Sequence, residues 1–323
     1  GSGDAASSGG AQMVLWTWPE GFSAKVLDSV AKVFPDVSLR QDVIGGEFKQ
    51  KLTTTFQAGT GLPSITGVKG EDIAFFVSQP DFFTDLNTLG AQDRKGEFLD
   101  WKWSQATTAD GRQLGIPIDI GPTALFYRFD VFERLGLPHE PEALAAAIRT
   151  WDEYSSLGTE MLAKESGTFL IRSLETVFQT AVKQSGQNFV DSSGKFIGAE
   201  DHIRSAWDTA VKAHTLGISA AAKADTPDTQ AAVASGKLPA DIGASWHLSD
   251  LMVDAPDTSG KWHVCAHPGD ATNNGGSFLT IPKGTADAAK AFEVIMHILN
   301  ADNQIIEYED KGNFPANSAA FTS

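Results

Sequence analysis

Between residues 13 and 59 the chain changes hydrophobic period three times, and that alternation limits its fold more than any other feature. "MVLWTW" has the composition of a strand, "SAKVLDSVAKVF" the apolar spacing of an amphipathic helix, "DVSLRQDV" is strand-like again, and "FKQKLTTTFQAG" is a helix closed by Gly59. Strands separated by helices predict a parallel sheet with crossover helices, the α/β class. No apolar run reaches the roughly 18 residues that would span a bilayer.

The pattern breaks around "TADGRQLGIPIDIGPTALFYRFDVF". An Asp-Gly turn at Asp110 and Gly111 precedes two short β-rich runs, "QLGIPI" and "ALFYRF", separated by Gly121 and Pro122. Two strands in succession without a helix mark a crossing between domains, and 323 residues are enough for two separate cores. A second α/β stretch follows. In "RTWDEYSSLGTEML", Thr150 and Glu153 have the spacing of a capping box. "TFLIR" then reads as a strand, "LETVFQTAVKQ" as a helix, "NFVDSSGKFIG" as a hairpin and "EDHIRSAWDTAVKAHTLG" as a long helix. Toward the end come the strand "GGSFLTIPKG" and the helix "TADAAKAFEVIMHILN", with Ala291, Ile295, Ile298 and Leu299 on one face. A last helix, "DNQIIEYEDKG", leads into the loop "GNFPANSAA".

Charge removes one class of partner. The formal charge of −16, spread along the chain, repels phosphate backbones, so no nucleic-acid partner is expected. The single cysteine, Cys265, allows no internal disulfide and leaves the compartment open. The opening "GSGDAASSGGAQ" has the make-up of a flexible linker, and residues 1–10 are expected to be a tether. It is either an expression scar or the segment behind a lipid-modified cysteine, and the second is the expectation.

Several chemistries lack their residues. No Gly-x-Gly-x-x-Gly loop follows a strand and no Gly-Lys-Ser/Thr loop exists, so neither standard nucleotide cradle is supported and no cofactor is expected. "GASWH", from Gly243 to His247, resembles a nucleophile elbow without its second glycine. In "WHVCAHP", strand alternation would put His263, Cys265 and His267 on one face. Ligands on one strand sit roughly 6 to 7 Å apart and rarely converge unaided, so a half-buried strand with a buried thiol is favoured and no metal is expected. A glycosidase pair is defined by distance in space, so the many carboxylates nominate none, and no catalytic residue is assigned. Asp119, in "PIDIGP", has two readings of equal weight, a turn cap before Gly121 and a ligand contact.

The aromatics are more informative, with eight Trp against three Tyr. Trp16 and Trp18 share a strand face, and Pro19 ends that strand at the carboxyl edge, where open α/β sheets bind ligands. Flat rings beside polar groups suit the C–H faces of sugars. The competing reading is packing, with Val14, Trp16 and Trp18 on one buried face and Met13, Leu15 and Thr17 on the other. Trp246 follows "ADIGA" at the corresponding edge of the second domain.

Five stretches then carry a family resemblance in order: "VLWTW", "FPDVSLRQDVIGGEFKQKLTTTFQAGTGLPSI", "GIPIDIGPTALFYRFDVFERLGLP" with "TWDEY", "GASWHLSDL", and "GGSFLTIPKGTADAAKAFEVIMHILNADNQ" with "GNFPANSAA". The chain resembles the extracellular solute-binding proteins of family 1, the sugar-binding lipoproteins that feed ABC importers, and more closely their actinobacterial members. Pro63-Ser64 stands where that family often has Pro-Asp, and the chain is short for it. The resemblance implies a two-lobed, periplasmic-binding-protein-like α/β fold with hinge-linked lobes and a sugar held in the cleft between them. Lobe 1 would be residues 11–120 plus 276–309, and lobe 2 residues 121–275 plus 310–323. Capture would proceed by closure, without catalysis.

By the same resemblance Trp16 and Trp18 are cleft aromatics, Asp119 with Gly121 the hinge-side polar contact, and Trp246 the stacking platform. Asn273, Asn274, Gly275 and Gly276 match the loop of the return crossing. Glu47, Lys69, Glu71 and Arg172 are candidates at strand-end loops, with a plain surface role as the alternative for each. The implied partners are a carbohydrate and the membrane permease subunits of an importer, with a monomeric protein held at the cell surface by an N-terminal lipid. Two rivals stand beside this reading: a binder of a polyamine, metal or peptide, and a glycoside-active enzyme.

Overall fold

The computed structural model describes residues 11–191 and 193–322, so the expected tether at 1–10 lies outside the described residues. The described residues form two compact units, one of residues 11–121 and 275–322, the other of residues 122–274 without 192. The chain crosses between them at Gly121–Pro122 and again at Asn274–Gly275. Both expected boundaries are displaced by one residue, Gly121 and Gly275 falling in unit 1. The tail 310–323, expected with lobe 2, belongs to unit 1.

Unit 1 is built on a five-stranded sheet of order β2-β1-β3-β9-β4. Its strands are β1 (Ala11–Thr17), β2 (Val37–Val43), β3 (Ile65–Val68), β4 (Gly115–Pro117) and β9 (Phe278–Thr280). β1 runs parallel to β2 and β3, while β9 is antiparallel to β3 and β4, so the expected parallel sheet is mixed. The first crossover is α1 (Ala24–Val33), whose entry Ser23 caps by accepting the Lys25 N–H at 3.2 Å. The second is α2 (Phe48–Ala58), ended by Gly59 at φ 69°, a left-handed conformation that glycine adopts without a Cβ penalty.

Alternation along β1 divides the core. Met13 and Leu15 pack with Val26, Val30, Ile65 and the helix Ala288–Ile298, whereas Val14 and Trp16 face Phe48, Leu52, Phe56 and Phe76. Both faces of the strand are thus buried, as a sheet covered on two sides requires.

The tail joins unit 1 because its backbone groups find their partners there. β10 (Phe314–Pro315) pairs antiparallel with β5 (Asp119–Ile120), and Gln304 Oε1 accepts the N–H groups of Ala316 and Asn317 at 2.7 and 2.8 Å. These pairings link positions far apart in sequence, and no local pattern announces them.

The terminal helix Ala301–Lys311 also fastens the start of α1. The Ser23 N–H donates to Glu307 Oε1 and Oε2 at 3.0 and 2.9 Å, and its hydroxyl to Asp310 at 2.5 Å. Burial, offset in part by the Ser23 N–H, pushes the Glu307 carboxyl up to about 7. The folded chain therefore holds this proton more tightly than the unfolded chain. Its contribution to stability is greatest below the ordinary value of 4.5 and is lost as pH rises to about 7. Glu307→Gln should flatten the decline in unfolding free energy between pH 5 and 8, measured by urea denaturation. An unchanged slope would show that Glu307 does not titrate there.

Unit 2 holds a three-stranded antiparallel sheet of order β7-β6-β8, made of β6 (Thr123–Arg128), β7 (Ala240–Ala244) and β8 (Trp262–Cys265). Leu125 and Tyr127 face a core with Phe132, Leu144, Tyr154 and Met161, while Phe126 faces Val233, Leu238 and Leu251. The helix Trp151–Lys164 begins with the expected capping box, Thr150 Oγ1 accepting the Glu153 N–H at 3.1 Å and Glu153 Oε2 accepting the Thr150 N–H at 3.3 Å.

Two expected elements of unit 2 shrink. "TFLIR" keeps a single parallel bridge, Ile171 to Ser219, because its carbonyls are met by Ala220 and Ala222 in an irregular segment rather than by a strand. "NFVDSSGKFIG" keeps one bridge, Val190 to Phe196, around a turn in which the Asp191 carboxylate accepts the N–H groups of Ser193 and Lys195.

Candidate functional site

In unit 1 the candidate surface lies where β1 and β3 end. Trp18 follows β1 and its ring lies directly on Gly67 of β3 and on Gly21. A Cβ at Gly67 would stand 2.6 Å from ring atom Cζ3, and one at Gly21 2.7 Å from Nε1, so only glycine allows this approach. Phe48 meets the ring edge-on at 5.4 Å between centroids, and Lys69 Nζ stands 5.6 Å from the ring centre. The indole is half-buried, one part packed and one part open.

Next to Lys69, charged groups of both signs gather around Asp72. The Asp72 carboxyl is raised by burial and by Glu71, against the pull of Lys49 and Lys69, with Glu47 adding to the rise. Glu47, Lys69 and Glu71, singled out in the sequence, thus gather near one carboxylate. Lys49 and Asp72 complete the group and were missed, because neither sits in a motif. A ring with one ammonium beside it, and carboxylates gathered next to that ammonium, can stack one face of a ligand and bond its edges.

Trp16 does not share this surface. It is 7% exposed and packs in the cluster with Phe48, Leu52 and Val68. The expectation that both tryptophans are cleft aromatics is corrected for Trp16. Trp18 lies one residue past the end of β1, packed against both core clusters and edge-on to Phe48, and there it is only half-buried.

The return crossing is fastened beside the end of β3. The Gly70 N–H donates to Ser277 Oγ at 3.3 Å, and a Cβ on Gly70 would stand 2.1 Å from the Gly276 carbonyl oxygen. Gly276 itself has φ 86°, with the Asp119 carbonyl 2.5 Å from where its Cβ would be. Lys102, wholly buried, donates from Nζ to the carbonyls of Gly275 and Gly276 at 2.9 and 2.6 Å and to Gln105 Oε1 at 2.9 Å. Burial pulls its ammonium down to about 8, so it stays charged at neutral pH.

Asp119 is 7% exposed, and its Oδ1 accepts the Ser277 N–H at 2.8 Å. Burial, against that hydrogen bond and the charge of Lys102, pushes its carboxyl up to about 6. Its observed partner is therefore the returning backbone, a capping role across the two crossings rather than at the Gly121 turn. Gly121 is buried and Gly275 exposed. Lys102, the cation that holds this junction, lies in "DWKWS", where nothing in the sequence distinguishes it from a surface lysine.

Unit 2 presents its own surface at the end of β7. Trp246 directly precedes the helix His247–Asp254 and is half-buried. The His247 ring lies on β7 at Gly243, where a Cβ would stand 2.4 Å from ring atom Cγ, and meets Phe126 edge-on at 5.3 Å. Arg172 Nη1 and His247 Nε2 approach the same oxygen, Asp241 Oδ2, at 3.1 and 3.0 Å. Burial opposes charge on His247, but the contacts with Asp241 and Asp250 outweigh it and hold the imidazole up at about 9. Both of its nitrogens face carboxylates, Nδ1 lying 3.9 Å from Asp250, so no free base remains to activate Ser245 as an elbow nucleophile would need.

An open cavity of about 720 Å³ lies beside this group, lined by Arg172, Glu175, Lys223, Asp241, His247 and Asp250 among others. Asp241 and His247 carried no expectation; His247 adjoins Trp246, and only the fold brings Asp241 to it. On the other edge of unit 2, Asn273 bridges Pro122, and Asn274 Oδ1 accepts from Lys183 Nζ. That amide oxygen is therefore already engaged in the unit.

The "WHVCAHP" residues do not converge. His263 stacks on Phe129 at 4.4 Å, and His267, beyond the end of β8, pairs through Nε2 with the Thr123 hydroxyl at 2.8 Å. Among the described residues no group of three His, Cys, Asp or Glu side chains is placed to hold a metal ion.

Two α/β units joined by two crossings, each with aromatic and charged groups at its strand ends, define the class of two-lobed solute binders. Residues 39–323 match the family model described as bacterial extracellular solute-binding protein, and the chain belongs to that family. Its members capture solutes outside the cytoplasm without transforming them. The lactose-binding protein of Rhizobium radiobacter is 24% identical over 309 residues, covering 90% of this chain and 71% of its own. A crystal structure of an extracellular solute-binding protein of family 1 is 27% identical, with TM-score 0.89, covering 97% of this chain and 81% of that one. The galacto-N-biose/lacto-N-biose I-binding protein of an ABC transporter from Bifidobacterium longum, solved with lacto-N-biose, has TM-score 0.78 at 20% identity. The match covers 96% of this chain and 79% of that one.

Proposed function

We propose that this chain is the capture component of an ABC importer and that its cargo is a sugar or oligosaccharide. The observation that carries the reading is Trp18, a half-buried indole at a strand end with Glu47, Lys69 and Glu71 gathered nearby. Named sugar binders among its relatives point the same way. In this reading Trp18 with Glu47, Lys69 and Glu71 in unit 1, and Trp246 with Arg172, Asn273 and Asn274 in unit 2, are the stacking and hydroxyl-binding groups that each unit offers. Asp119, Gly121, Gly275 and Gly276 shape the two crossings. The permease subunits are its membrane partners, and the monomeric protein is held to the membrane by a lipid at its N-terminus.

A thermal-shift screen tests this, using mono- and oligosaccharides with amino acids, polyamines and divalent metals as the comparison set. A ligand at 100 times its dissociation constant adds about 2.7 kcal/mol of stability, enough for a visible rise in melting temperature. A response to a polyamine or metal alone would replace the sugar reading with its rival. For the responding sugar, Trp18→Ala should weaken binding about two- to tenfold in calorimetry, as loss of one stacking partner predicts. Unchanged affinity would remove Trp18 from the site.

A further inference from the structure

Among the described residues, the buried side-chain polar atoms without a hydrogen-bond partner are Arg128 Nη1, Arg172 Nε and Nη2, Ser245 Oγ, and His247 Nε2, whose 3.0 Å contact with Asp241 is an ion pair lacking hydrogen-bond geometry. An orphaned buried donor has lost its bond to water without regaining one in the protein. A cluster of them beside an open cavity calls for a bonding partner that the chain itself does not supply.

The empty atoms have a particular shape. Nε and Nη2 form the side edge of a guanidinium, two parallel N–H groups matched to the two oxygens of a carboxylate. Arg128 in the same unit uses that edge in this way, donating from Nε and Nη2 to the two oxygens of Asp130, each at 2.8 Å. Arg172 holds Asp241 through Nη1 and leaves the corresponding edge empty. The edge is covered in this structure, and a guanidinium held through one nitrogen can turn it toward the cavity that Arg172 lines.

Charge supports the same ligand. Two cations, Arg172 and protonated His247, share the single oxygen Asp241 Oδ2, and the only other carboxylate on the pair among the described residues, Asp250, stands 3.9 Å from the far nitrogen of His247, so the guanidinium itself has half a carboxylate as its counter-charge. The cavity's outer wall is different, with Glu175, Asp225, Asp250 and Asp254 beside one cation, Lys223. Carboxylates there accept hydrogen bonds from hydroxyls and repel a ligand with many negative charges.

We propose that the unit 2 cavity selects a saccharide bearing one carboxylate, a uronate-type sugar whose carboxylate seats on the Nε/Nη2 edge of Arg172 while its hydroxyls meet the acidic wall. The proposal rests on the sugar-capture reading and narrows its cargo.

Calorimetry with matched pairs tests it: glucose against glucuronate, galactose against galacturonate, galactobiose against digalacturonate, at pH 7. The acidic member of at least one pair is expected to bind ten times more tightly or better. Arg172→Met should lower that affinity at least tenfold, and Arg172→Lys, which keeps the charge and loses the fork, should lower it nearly as far. Far-UV circular dichroism and the unliganded melting temperature establish that each variant folds, and wild-type selectivity stands as a test if neither does. Equal or tighter binding of the neutral members overturns the carboxylate proposal and leaves sugar capture standing. Acidic binding undiminished in both folded variants also overturns it. Failure of every saccharide in this set and in the wider screen would overturn both readings.

Discussion

Replacing Lys102 by methionine should cost unit 1 about 3–5 kcal/mol, the scale of breaking a buried charged contact by removing one partner. The side chain is wholly buried, and its Nζ is a donor to the carbonyls of both Gly275 and Gly276. Methionine fills the volume but leaves these acceptors, and the nearby Asp119 carboxylate, without their cation. At roughly 2–4 °C per kcal/mol, the melting temperature of the unit should fall by about 10 °C in calorimetry. A loss under about 1 kcal/mol, the scale of an exposed ion pair, would show that the ammonium contributes no more than a surface charge. Because these carbonyls flank the return of the chain from unit 2, Lys102 couples the stability of unit 1 to the geometry of that crossing.

Trp16→Ala should be as damaging, about 3–5 kcal/mol, the range for emptying a large aromatic from a packed core. Its ring is buried among Phe48, Leu52, Phe56 and Val68. Urea denaturation would read the loss as a lower midpoint with little change in slope. The contrast with Trp18→Ala is the sharper result: that variant should lose ligand affinity and much less stability. If the two variants lost stability equally, Trp18 would be a core residue as well, and the unit 1 surface would lose its platform.

The strand face of β1 was legible from alternation alone for Val14 and Trp16 on one side and Met13 and Leu15 on the other, while Trp18, past the strand's end, packs against both clusters. What alternation does not contain is where the cover ends, since that depends on how far α2 and the segment around Phe76 extend over the sheet. Glu47, Lys69 and Glu71 could be named as strand-end residues, yet their common neighbour Asp72 is visible only once β1 and β3 lie side by side. Arg172 was nameable for the same reason, and Asp241 and His247 were not. An ion-pair group assembled from a bridge, a strand and a helix start leaves no spacing in the sequence to find.

By itself, then, the sequence determined what local physics controls: the alternation of periods, the Thr150 capping box and the left-handed stop at Gly59. Tertiary structure decided the rest. It drew the tail 310–323 into unit 1 through β10 and Gln304, turned β9 antiparallel, buried Lys102 under two glycine carbonyls and left one edge of Arg172 unfilled. The reason is the same in each case. Period and capping are set by neighbours a few residues away, whereas burial and charge pairing are set by groups that meet only after the chain has folded.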